Sequence, residues 1–460
     1  MINLHDRLKQ VWGYCEFRYP QAEIVQTILD RKDSLIVLPT GGGKSLCFQL
    51  PAIMQPGLTI VVSPLVALME NQVQELRQKR IPAAMLHSEL PGSERKQILN
   101  TIENYRLLYL SPETLLSSPV WQRLLNPELK INSIIVDEAH CLTQWGETFR
   151  PVYYRLGAVR STLSKDRDRV SIAAFTATAN PLTQETIKRI LQLETPQSFQ
   201  ISPYRANLTL KIESVVTPKQ RKQKLLNVIR SQSGSGLVYV RSRRDGEELA
   251  EWLKQQGYPT AAYHAGLKSI DRRQIEQAWI NDRLKFVVAT CAFGMGVNKE
   301  QTRWVIHYHA PFLMSEYVQE IGRAGRDGKP AIAVLLKSSW IDPEDQQRWK
   351  FFETQEHQQT MKAQKLIQKL PERGNIDAVS REFKGASIAL SLLHSSKQLI
   401  WTDPFHYQIL SRNKLSALLN STQSMKSYLN TKDCRWKFIL RSFGFEQEAF
   451  NFACGHCDRC

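Results

Sequence analysis

The sequence predicts two consecutive α/β domains, each built on a doubly wound parallel sheet, followed by a helical region that carries a metal site. Three observations lead to this prediction. Short β-rich runs alternate with helical stretches through the first 200 residues, and the same alternation begins again after residue 208. Four cysteines lie near the end of the chain. The length of 460 residues, 42% of them hydrophobic, allows two or three domains with cores of their own.

Five runs predict the strands of each domain. Polar residues cluster at the carboxyl ends of these runs, where α/β sheets place their ligands. We expect domains at 1–204 and 205–339, and a helical third region at 340–460. The runs are Ser34 to Leu38, Leu58 to Ser63, Arg106 to Ser111, Ile131 to Asp137 and Ser171 to Thr176, and then Gly236 to Val240, Pro259 to His264, Lys285 to Thr290, Arg303 to His307 and Ala331 to Leu336.

The residues after the first run form a predicted phosphate-binding loop. Its strand, loop and helix context supports the prediction, although Leu38 occupies the position where the strict pattern has a glycine. Backbone N–H groups of the glycines can surround phosphates, Lys44 can neutralise them, and the Ser45 hydroxyl can hold Mg²⁺. The candidate nucleotide-binding residues of the loop are Thr40, Gly41, Gly42, Gly43, Lys44 and Ser45.

A second motif, Asp137-Glu138-Ala139-His140, follows another apolar run. Asp137 suits the binding of a metal ion and Glu138 suits the activation of the attacking water. Either motif alone is weak evidence, but both stand at predicted strand ends and in this order. Together they predict an ATPase that requires ATP and Mg²⁺.

The composition points to a polyanionic partner. The net charge is +17 and the isoelectric point is near 9.5, which favours a nucleic acid. An acidic membrane surface is the alternative, but the sequence contains no basic amphipathic helix and no apolar stretch of membrane length. Its first residues lack the apolar core of a signal peptide. We therefore expect a cytoplasmic protein, associated with the nucleoid if prokaryotic.

Four of the eight cysteines predict a tetrahedral structural zinc site. Two overlapping Cys-x2-Cys units end the chain, and the fourth sulfur lies upstream of them. An iron–sulfur cluster is the main alternative, and unliganded thiols are the other. The proposed ligands are Cys434, Cys454, Cys457 and Cys460.

The second domain contributes a pair of arginines. Arg323 and Arg326 are three residues apart, so that on a helix they would face the same way. Such arginines can stabilise charge on a transferring phosphoryl group. The alternative is a basic helix face that binds a phosphate backbone. The catalytic candidates of this segment are Arg326, which is the first choice, Arg323, which is the second, and Gln319.

Several motifs together resemble those of RecQ-family DNA helicases of superfamily 2, over nearly the whole chain. DEAH and GRAGR occur throughout the superfamily, whereas QWGETFRP, AFGMGVNK and CGHCDRC are specific to the family. The motifs stand in the family order: PTGGGKSLCFQLPA, YLSPE, DEAH, QWGETFRP, FTATA, YHAGL, ATCAFGMGVNK, QEIGRAGRDG and the terminal cysteine set.

The resemblance implies two RecA-like domains and further site residues. It assigns adenine recognition to Tyr14, Arg18 and Gln21. It also implies that an aromatic-rich loop senses single-stranded DNA through Trp145, Phe149 and Arg150, although Glu147-Thr148 replaces the family's His-Asp pair there.

The activity implied by the resemblance is ATP-dependent 3′ to 5′ DNA unwinding, on single-stranded and forked DNA, in recombination and repair. An RNA helicase is one alternative. A DNA-stimulated ATPase that binds, remodels or anneals nucleic acid is another. The family's usual winged helix does not follow Cys460 in this sequence, which favours the latter.

Residues 366–411 are not expected from the family. Two apolar helix faces and then Leu399 to Trp401 and Phe405 to Ile409, arranged as a hairpin, follow the order of a winged helix. We expect either a winged-helix-like insert, whose tip residues Trp401 and Phe405 could stack on an unpaired base, or a packing insert in which both rings are buried.

Overall fold

The structure is a computed structural model. It describes residues 3–142, 150–165, 168–293, 299–339, 344–415 and 422–460. Residue contacts divide the chain into two compact units. One contains the chain up to Leu38 with 42–201 and 355–417; the other contains 39–41, 202–354 and 418–460. None of the described helices is long and apolar enough to span a bilayer.

Sixteen described strands form three sheets. The first sheet has the order β3-β4-β2-β5-β6-β1-β7, the second β10-β11-β9-β12-β13-β8, and the third β14-β16-β15. The strands are β1 Ser34–Val37, β2 Leu58–Val62, β3 Ala83–Leu86, β4 Leu107–Leu110, β5 Ile131–Val136, β6 Ser171–Thr176, β7 Gln197–Gln200, β8 Leu208–Val215, β9 Ser235–Tyr239, β10 Ala262–Tyr263, β11 Phe286–Ala289, β12 Thr302–His307, β13 Ala331–Ser338, β14 Arg373–Asn375, β15 Leu399–Trp401 and β16 His406–Ile409.

Nineteen described α-helices accompany these strands. They are α1 Leu4–Trp12, α2 Gln21–Leu29, α3 Lys44–Met54, α4 Val66–Gln78, α5 Gly92–Asn100, α6 Pro112–Leu115, α7 Ser118–Leu124, α8 Gly157–Leu163, α9 Pro181–Ile190, α10 Pro218–Ser231, α11 Arg243–Gln255, α12 Ser269–Ile280, α13 Met314–Ile321, α14 Glu344–Ile367, α15 Ile376–Glu382, α16 Ala386–Ser395, α17 Gln423–Asn430, α18 Arg435–Ser442 and α19 Glu446–Ala449.

The two large sheets are parallel throughout, which confirms the predicted fold class. Their central strands are buried on both faces; β1, β4, β5 and β6 have no exposed residue. Strands covered by helices on both sides need continuous apolar runs rather than alternation, and these are the runs that the sequence contains. Polar side chains are thereby confined to the strand ends.

One buried ion pair joins several elements of the first sheet. The Asp33 carboxylate, just before β1, is fully buried and paired with Arg160 of α8. The same carboxylate accepts hydrogen bonds from the backbone N–H of Ile172, at 2.9 Å, and of Glu194, at 2.7 Å. It therefore connects β1, β6, α8 and the segment that leads into β7.

Replacing Asp33 should destabilise this unit. Asp33→Ala removes the buried carboxylate that pairs with Arg160, whose remaining ion-pair partner, Glu194, is exposed. The loss of the buried partner costs about 3–5 kcal/mol of unfolding free energy. Urea or thermal unfolding measures this change. Asp30→Ala is the control, because Asp30 lies three residues away in an exposed pair with Lys32 that contributes about 0–1 kcal/mol. Equal destabilisation of the two variants would contradict the role given to Asp33.

The second sheet shares its hydrophobic core with the C-terminal region. Tyr317 of α13 and Trp436 of α18 belong to one buried cluster, which also includes Cys457. The Trp436 indole N–H donates to Leu208 O of β8 at 3.1 Å, and the hydroxyls of Tyr428 and Tyr317 are 3.1 Å apart. The cysteine-bearing region is therefore packed as part of this domain.

The insert has the strand and helix order of a winged helix: α14, β14, α15, α16, β15 and β16, with β14-β16-β15 as an antiparallel sheet. The predicted hairpin is confirmed, since Leu399 pairs with Ile409 and Trp401 with Tyr407. Gly385, at φ +93°, ends the chain reversal between α15 and α16.

The insert packs on the first sheet domain, so its hairpin does not present free aromatic residues. Trp401 is 6% exposed. The Phe405 ring lies 5.5 Å from that of Trp121 on α7, and the Arg155 guanidinium covers it at 5.3 Å. Arg155 Nε also donates to Pro404 O. The expectation of base-stacking tip residues is therefore wrong, and both aromatic rings serve in packing.

Candidate ATPase site and metal centre

The phosphate loop and the Asp137-Glu138 motif lie at the same edge of the first sheet. β1 and β5 both pair with β6 in parallel, so their carboxyl ends are one strand apart. Lys44 begins α3 directly after the loop, and Asp137 follows β5. The structure therefore places the two predicted motifs where an α/β sheet binds ligands.

Glycine conformations shape the loop. Gly41 has φ +82° and Gly43 has φ +74°, values that glycine adopts at little cost. Gly43 is the N-cap of α3 and offers no side-chain acceptor to its first turn, which leaves that helix end suited to an anion. Lys44 Nζ lies 3.3 Å from Leu38 O. The loop thus has the backbone conformation and the positive charge needed to bind phosphate.

Gln21 ties the N-terminal segment to the loop. Its amide Nε2 donates to Gly42 O at 3.2 Å, and its Oε1 accepts from the Arg18 N–H at 3.0 Å. A Cβ at Gly43 would displace this amide, and the φ of +74° at this position also favours glycine. Tyr14, by contrast, is 56% exposed, and Arg18 is also exposed. Gln21 is therefore built into the site, whereas the side chains of Tyr14 and Arg18 are exposed.

Asp137 and Glu138 are both buried. The pKa of the Asp137 carboxyl is raised well above its usual range, mainly by burial and secondly by the neighbouring negative charge of Glu138. Glu138 has φ +51°, an uncommon backbone conformation for this residue type. A buried pair of carboxyl groups near Lys44 has the donor chemistry that a divalent cation needs. These residues fit Mg²⁺.

Two further residues join this site, and the sequence analysis assigned them no role. His140 Nδ1 lies 3.1 Å from Thr176 Oγ1 at the end of β6 and 3.2 Å from Glu138 Oε2. Thr176 Oγ1 also accepts from the Thr178 N–H at 3.2 Å. The FTATA segment is therefore connected to the water-activating candidate through one histidine. Both motifs were visible in the sequence, but their contact requires the strand order.

The structure describes one of the three predicted DNA-loop residues. Arg150 is half-buried, and its Nη1 lies 3.7 Å from Glu113 Oε2. Glu113 belongs to the YLSPE motif, at the start of α6. Trp145 and Phe149 lie outside the described residues.

The arginine pair follows a helix rather than lying on it. α13 ends at Ile321, and Gly325 has φ +62°, so the expected helical spacing of Arg323 and Arg326 is wrong. Both side chains nevertheless line one small cavity in the second unit. Burial and the adjacent charges of Arg323 and Arg205 lower the pKa of the Arg326 guanidinium to about 10. It remains charged at neutral pH, and an incoming anion would stabilise it.

A buried network of hydrogen bonds and ion pairs holds the end of α13, the helix that precedes the arginine pair. Arg241 binds both carboxylate oxygens of Glu320, at 2.9 and 3.0 Å, and His307 Nε2 lies 2.8 Å from Glu320 Oε2. Burial lowers the pKa of His307, which keeps the ring neutral. Gln319 lies beside Glu320, in the last turn of α13, and is buried. Arg241 lies far from Glu320 in the sequence, and no local motif identified this pair.

The four C-terminal cysteines converge. Their sulfur atoms all lie within 4.8 Å of one another, and the Cys457–Cys434 and Cys454–Cys460 separations are 3.9 and 3.8 Å. Four sulfurs at about 2.3 Å from a tetrahedral zinc ion would be roughly 3.8 Å apart. The donor set and its spacing therefore fit zinc.

Backbone and arginine contacts organise this cluster. The N–H groups of Arg435 and Arg459 each lie 3.4 Å from Cys457 Sγ, and that of Cys454 lies 3.4 Å from Cys434 Sγ. Arg435 is almost fully buried and binds both oxygens of Asp458, at 2.9 and 2.8 Å. N–H donors directed at sulfur favour the thiolate form that binds metal.

Family models match three parts of the chain. A DEAD/DEAH box helicase model matches residues 18–187, a helicase conserved C-terminal domain model matches 220–328, and a RecQ zinc-binding model matches 403–460. The last match contains the four cysteines. The first two cover the two RecA-like α/β domains.

Curated relatives extend this similarity to the full length. The chain is 47% identical to the ATP-dependent DNA helicase RecQ of Synechocystis, over 100% of this chain and 98% of the relative. It is 40% identical to the probable ATP-dependent DNA helicase RecS of Bacillus subtilis, over 74% of this chain and 67% of that protein.

Solved structures show the same fold at low identity. The DUF1998 helicase MrfA bound to DNA has a TM-score of 0.62 at 17% identity, covering 90% of this chain and 64% of that one. The Mycobacterium smegmatis helicase Lhr bound to single-stranded DNA and AMP-PNP has a TM-score of 0.60 at 20% identity, covering 89% and 60%. With the family models and the full-length relative, the conclusion is that this chain belongs to the RecQ family of ATP-dependent DNA helicases.

Proposed function

We propose that the protein uses ATP hydrolysis to move 3′ to 5′ along single-stranded DNA and to open duplexes, including forks, in recombination and repair. The observation that carries the proposal is the shared sheet edge, where Lys44, Asp137 and Glu138 meet with the His140–Thr176 contact behind them. This arrangement provides phosphate binding, a carboxylate for Mg²⁺ and a base for water. If the source is prokaryotic, such a protein works in the cytoplasm at the nucleoid.

Each candidate residue has a role in this proposal. Lys44 and the loop glycines bind phosphates, and Glu138 orients and deprotonates the water. Ser45 and Asp137 would hold Mg²⁺, which would supply charge neutralisation. Arg326, with Arg323 and Gln319, stabilises the transferring phosphoryl group. Tyr14, Arg18 and Gln21 bind adenine. Trp145, Phe149 and Arg150 couple the binding of single-stranded DNA to ATP hydrolysis.

The proposed domain limits are 1–204 for the ATP-binding helicase domain, 205–339 for the second helicase domain and 340–460 for the zinc-binding region, with the winged-helix-like insert at 366–411. Zinc on Cys434, Cys454, Cys457 and Cys460 would have a structural role. Such an ion would be bound by all four sulfurs, which would leave no open coordination position for a substrate.

A DNA-stimulated ATPase that remodels or anneals strands with little unwinding is the second candidate. One observation favours it: Trp401 and Phe405 are packed against neighbouring elements, so the described part of the insert offers no free aromatic hairpin tip. Strand separation would then depend on another surface.

The nature of the stimulating nucleic acid tests the DNA assignment. Steady-state ATP hydrolysis should rise strongly with single-stranded DNA and weakly with RNA of the same sequence, and chelation of Mg²⁺ should abolish both. Stimulation is expected because the proposed DNA-loop residues alter ATP hydrolysis only when a strand is bound, and the proposal makes that strand DNA. Equal or greater stimulation by RNA would overturn the assignment.

A further inference from the structure

An exposed groove on the insert carries an unusual concentration of positive charge. A cavity of about 410 Å³ lies between the second half of α14 and the turn before α16. Four lysines line it, and all four are exposed. We call it the lysine groove and define it by Lys362, Lys365, Lys369 and Lys384.

The lysines come from two segments that fold together. Lys362 and Lys365 are three residues apart on α14, and Lys369 follows soon after the helix ends. A rise of about 1.5 Å per residue spreads these three over roughly 10 Å. Lys384 approaches from the turn before α16. In the part of the chain that the structure describes, no carboxylate pairs with any of the four. The groove is thus a line of unneutralised charge several phosphates long.

We propose that the lysine groove binds the phosphate backbone of duplex DNA. This site is separate from the ATPase residues and from the predicted single-strand loop. Lysines on a phosphate backbone supply affinity without reading sequence, because each lysine–phosphate interaction releases a condensed counterion.

The lining favours a duplex over a single strand. Sites for single strands normally combine positive charge with aromatic rings on which bases stack. The groove has no aromatic residue in its lining; the remaining residues are Gln359, Ala363, Leu366, Gly385 and Ile388. A duplex keeps its bases paired inside and presents phosphates outward, which is what four lysines without a stacking surface can bind.

The burial of α16 argues against sequence reading through this helix. In helix-turn-helix proteins the second helix of the motif enters the major groove. Here α16 is held on the first sheet domain: Ser391 Oγ donates to Pro151 O at 3.2 Å, and Arg189 Nη1 donates to Ser395 O at 2.5 Å. Seven of its ten residues are buried. The buried face of α16 is therefore not available to a major groove, and the exposed lysine groove is the surface that we assign to the duplex.

The salt dependence of duplex binding tests the proposal. The probe is a blunt-ended, fluorescently labelled duplex without ATP, titrated with the full chain by anisotropy over a range of salt concentrations. In Lys365→Gln/Lys369→Gln/Lys384→Gln, the slope of log K against log salt should fall by about 0.9 for each phosphate that is no longer neutralised, or about 2–3 in all. Binding should weaken equally on unrelated sequences.

Matched variants separate the groove from general charge. The control is Lys96→Gln/Lys219→Gln/Lys254→Gln, which removes three exposed lysines from α5, α10 and α11 and should keep the parent slope. Lys365→Arg/Lys369→Arg/Lys384→Arg should also bind like the parent, because the charges remain. If the glutamine triple variant melts early, the single Lys365→Gln change, with an expected decrease in slope of about 0.9, takes its place.

The outcomes are distinct from those of the proposed helicase activity, because this assay needs neither turnover nor direction. An unchanged slope in the groove variants, or an equal decrease in the control, overturns the site. A groove variant that binds duplex normally but no longer binds a fluorescent polyglutamate peptide would assign the groove to an acidic protein segment and likewise overturn the proposal.

Discussion

A Glu138→Gln variant is expected to bind ATP about as well as the parent and to hydrolyse it about 10²–10⁴ times more slowly, because the amide cannot accept the proton of the attacking water. Lys44→Ala should lose both binding and turnover, since the ammonium group neutralises phosphates before and during the reaction. The binding of a labelled ATP analogue and steady-state hydrolysis measure the two quantities separately.

Glu94→Gln is the matched control for Glu138→Gln. Glu94 is exposed on α5 of the same domain, so this change should leave turnover unaltered. Hydrolysis by the Glu138→Gln variant within tenfold of the parent would contradict the assignment of Glu138.

Arg326→Ala tests the contribution of the second domain to the same reaction. An arginine that stabilises the transferring phosphoryl group contributes roughly 10³–10⁵ to the rate, so this variant should behave like Glu138→Gln, with Arg323→Ala as the second choice. Unchanged turnover in both variants, together with weaker DNA binding, would assign the pair to the phosphate backbone of DNA.

Loss of one zinc ligand should have the largest effect on stability. One zinc ion per chain is expected, and Cys457→Ser should release it. Structural zinc contributes roughly 10–16 kcal/mol of apparent binding free energy in small peptides, largely expressed as folding. Because Cys457 belongs to the buried cluster that contains Tyr317 and Trp436, the second domain should lose stability together with the C-terminal region.

Metal analysis, thermal unfolding and limited proteolysis measure this effect. Cys15→Ser is the control, since Cys15 is an exposed cysteine outside the cluster. The first domain has a separate core and should unfold as in the parent. Iron with sulfide, or four intact thiols without metal, would contradict the zinc assignment.

The parallel sheets could be predicted because their central strands are continuous apolar runs. Two strands of the first sheet were missed. β7, Gln197–Gln200, is a largely exposed edge strand with polar residues, and nothing in its sequence distinguishes it from a loop. β3, Ala83–Leu86, is a four-residue run beside a proline. β8, Leu208–Val215, was missed as well, because the predicted runs of the second domain begin only at Gly236.

The site was predictable where function requires a local motif. The phosphate loop and the DEAH segment each place their groups within a few residues, and three of the four cysteines do so as well. The contacts of Thr176 with His140 and of Arg241 with Glu320 were not predictable, since they depend on strand order. The sequence left open whether Phe405 is a free hairpin tip or a packing residue, because the two can have identical local sequences. Its contact with Trp121 is visible only in the fold.

Strand displacement with directional substrates tests the central claim most directly. Two duplexes of identical sequence are compared, one with a single-stranded 3′ tail and one with a 5′ tail, each with ATP and Mg²⁺. Movement from 3′ to 5′ on the tailed strand predicts that the parent opens the 3′-tailed duplex and leaves the 5′-tailed duplex paired, and that Glu138→Gln opens neither. Opening of the 5′-tailed duplex alone, or DNA-stimulated hydrolysis without opening of either duplex, would contradict the account.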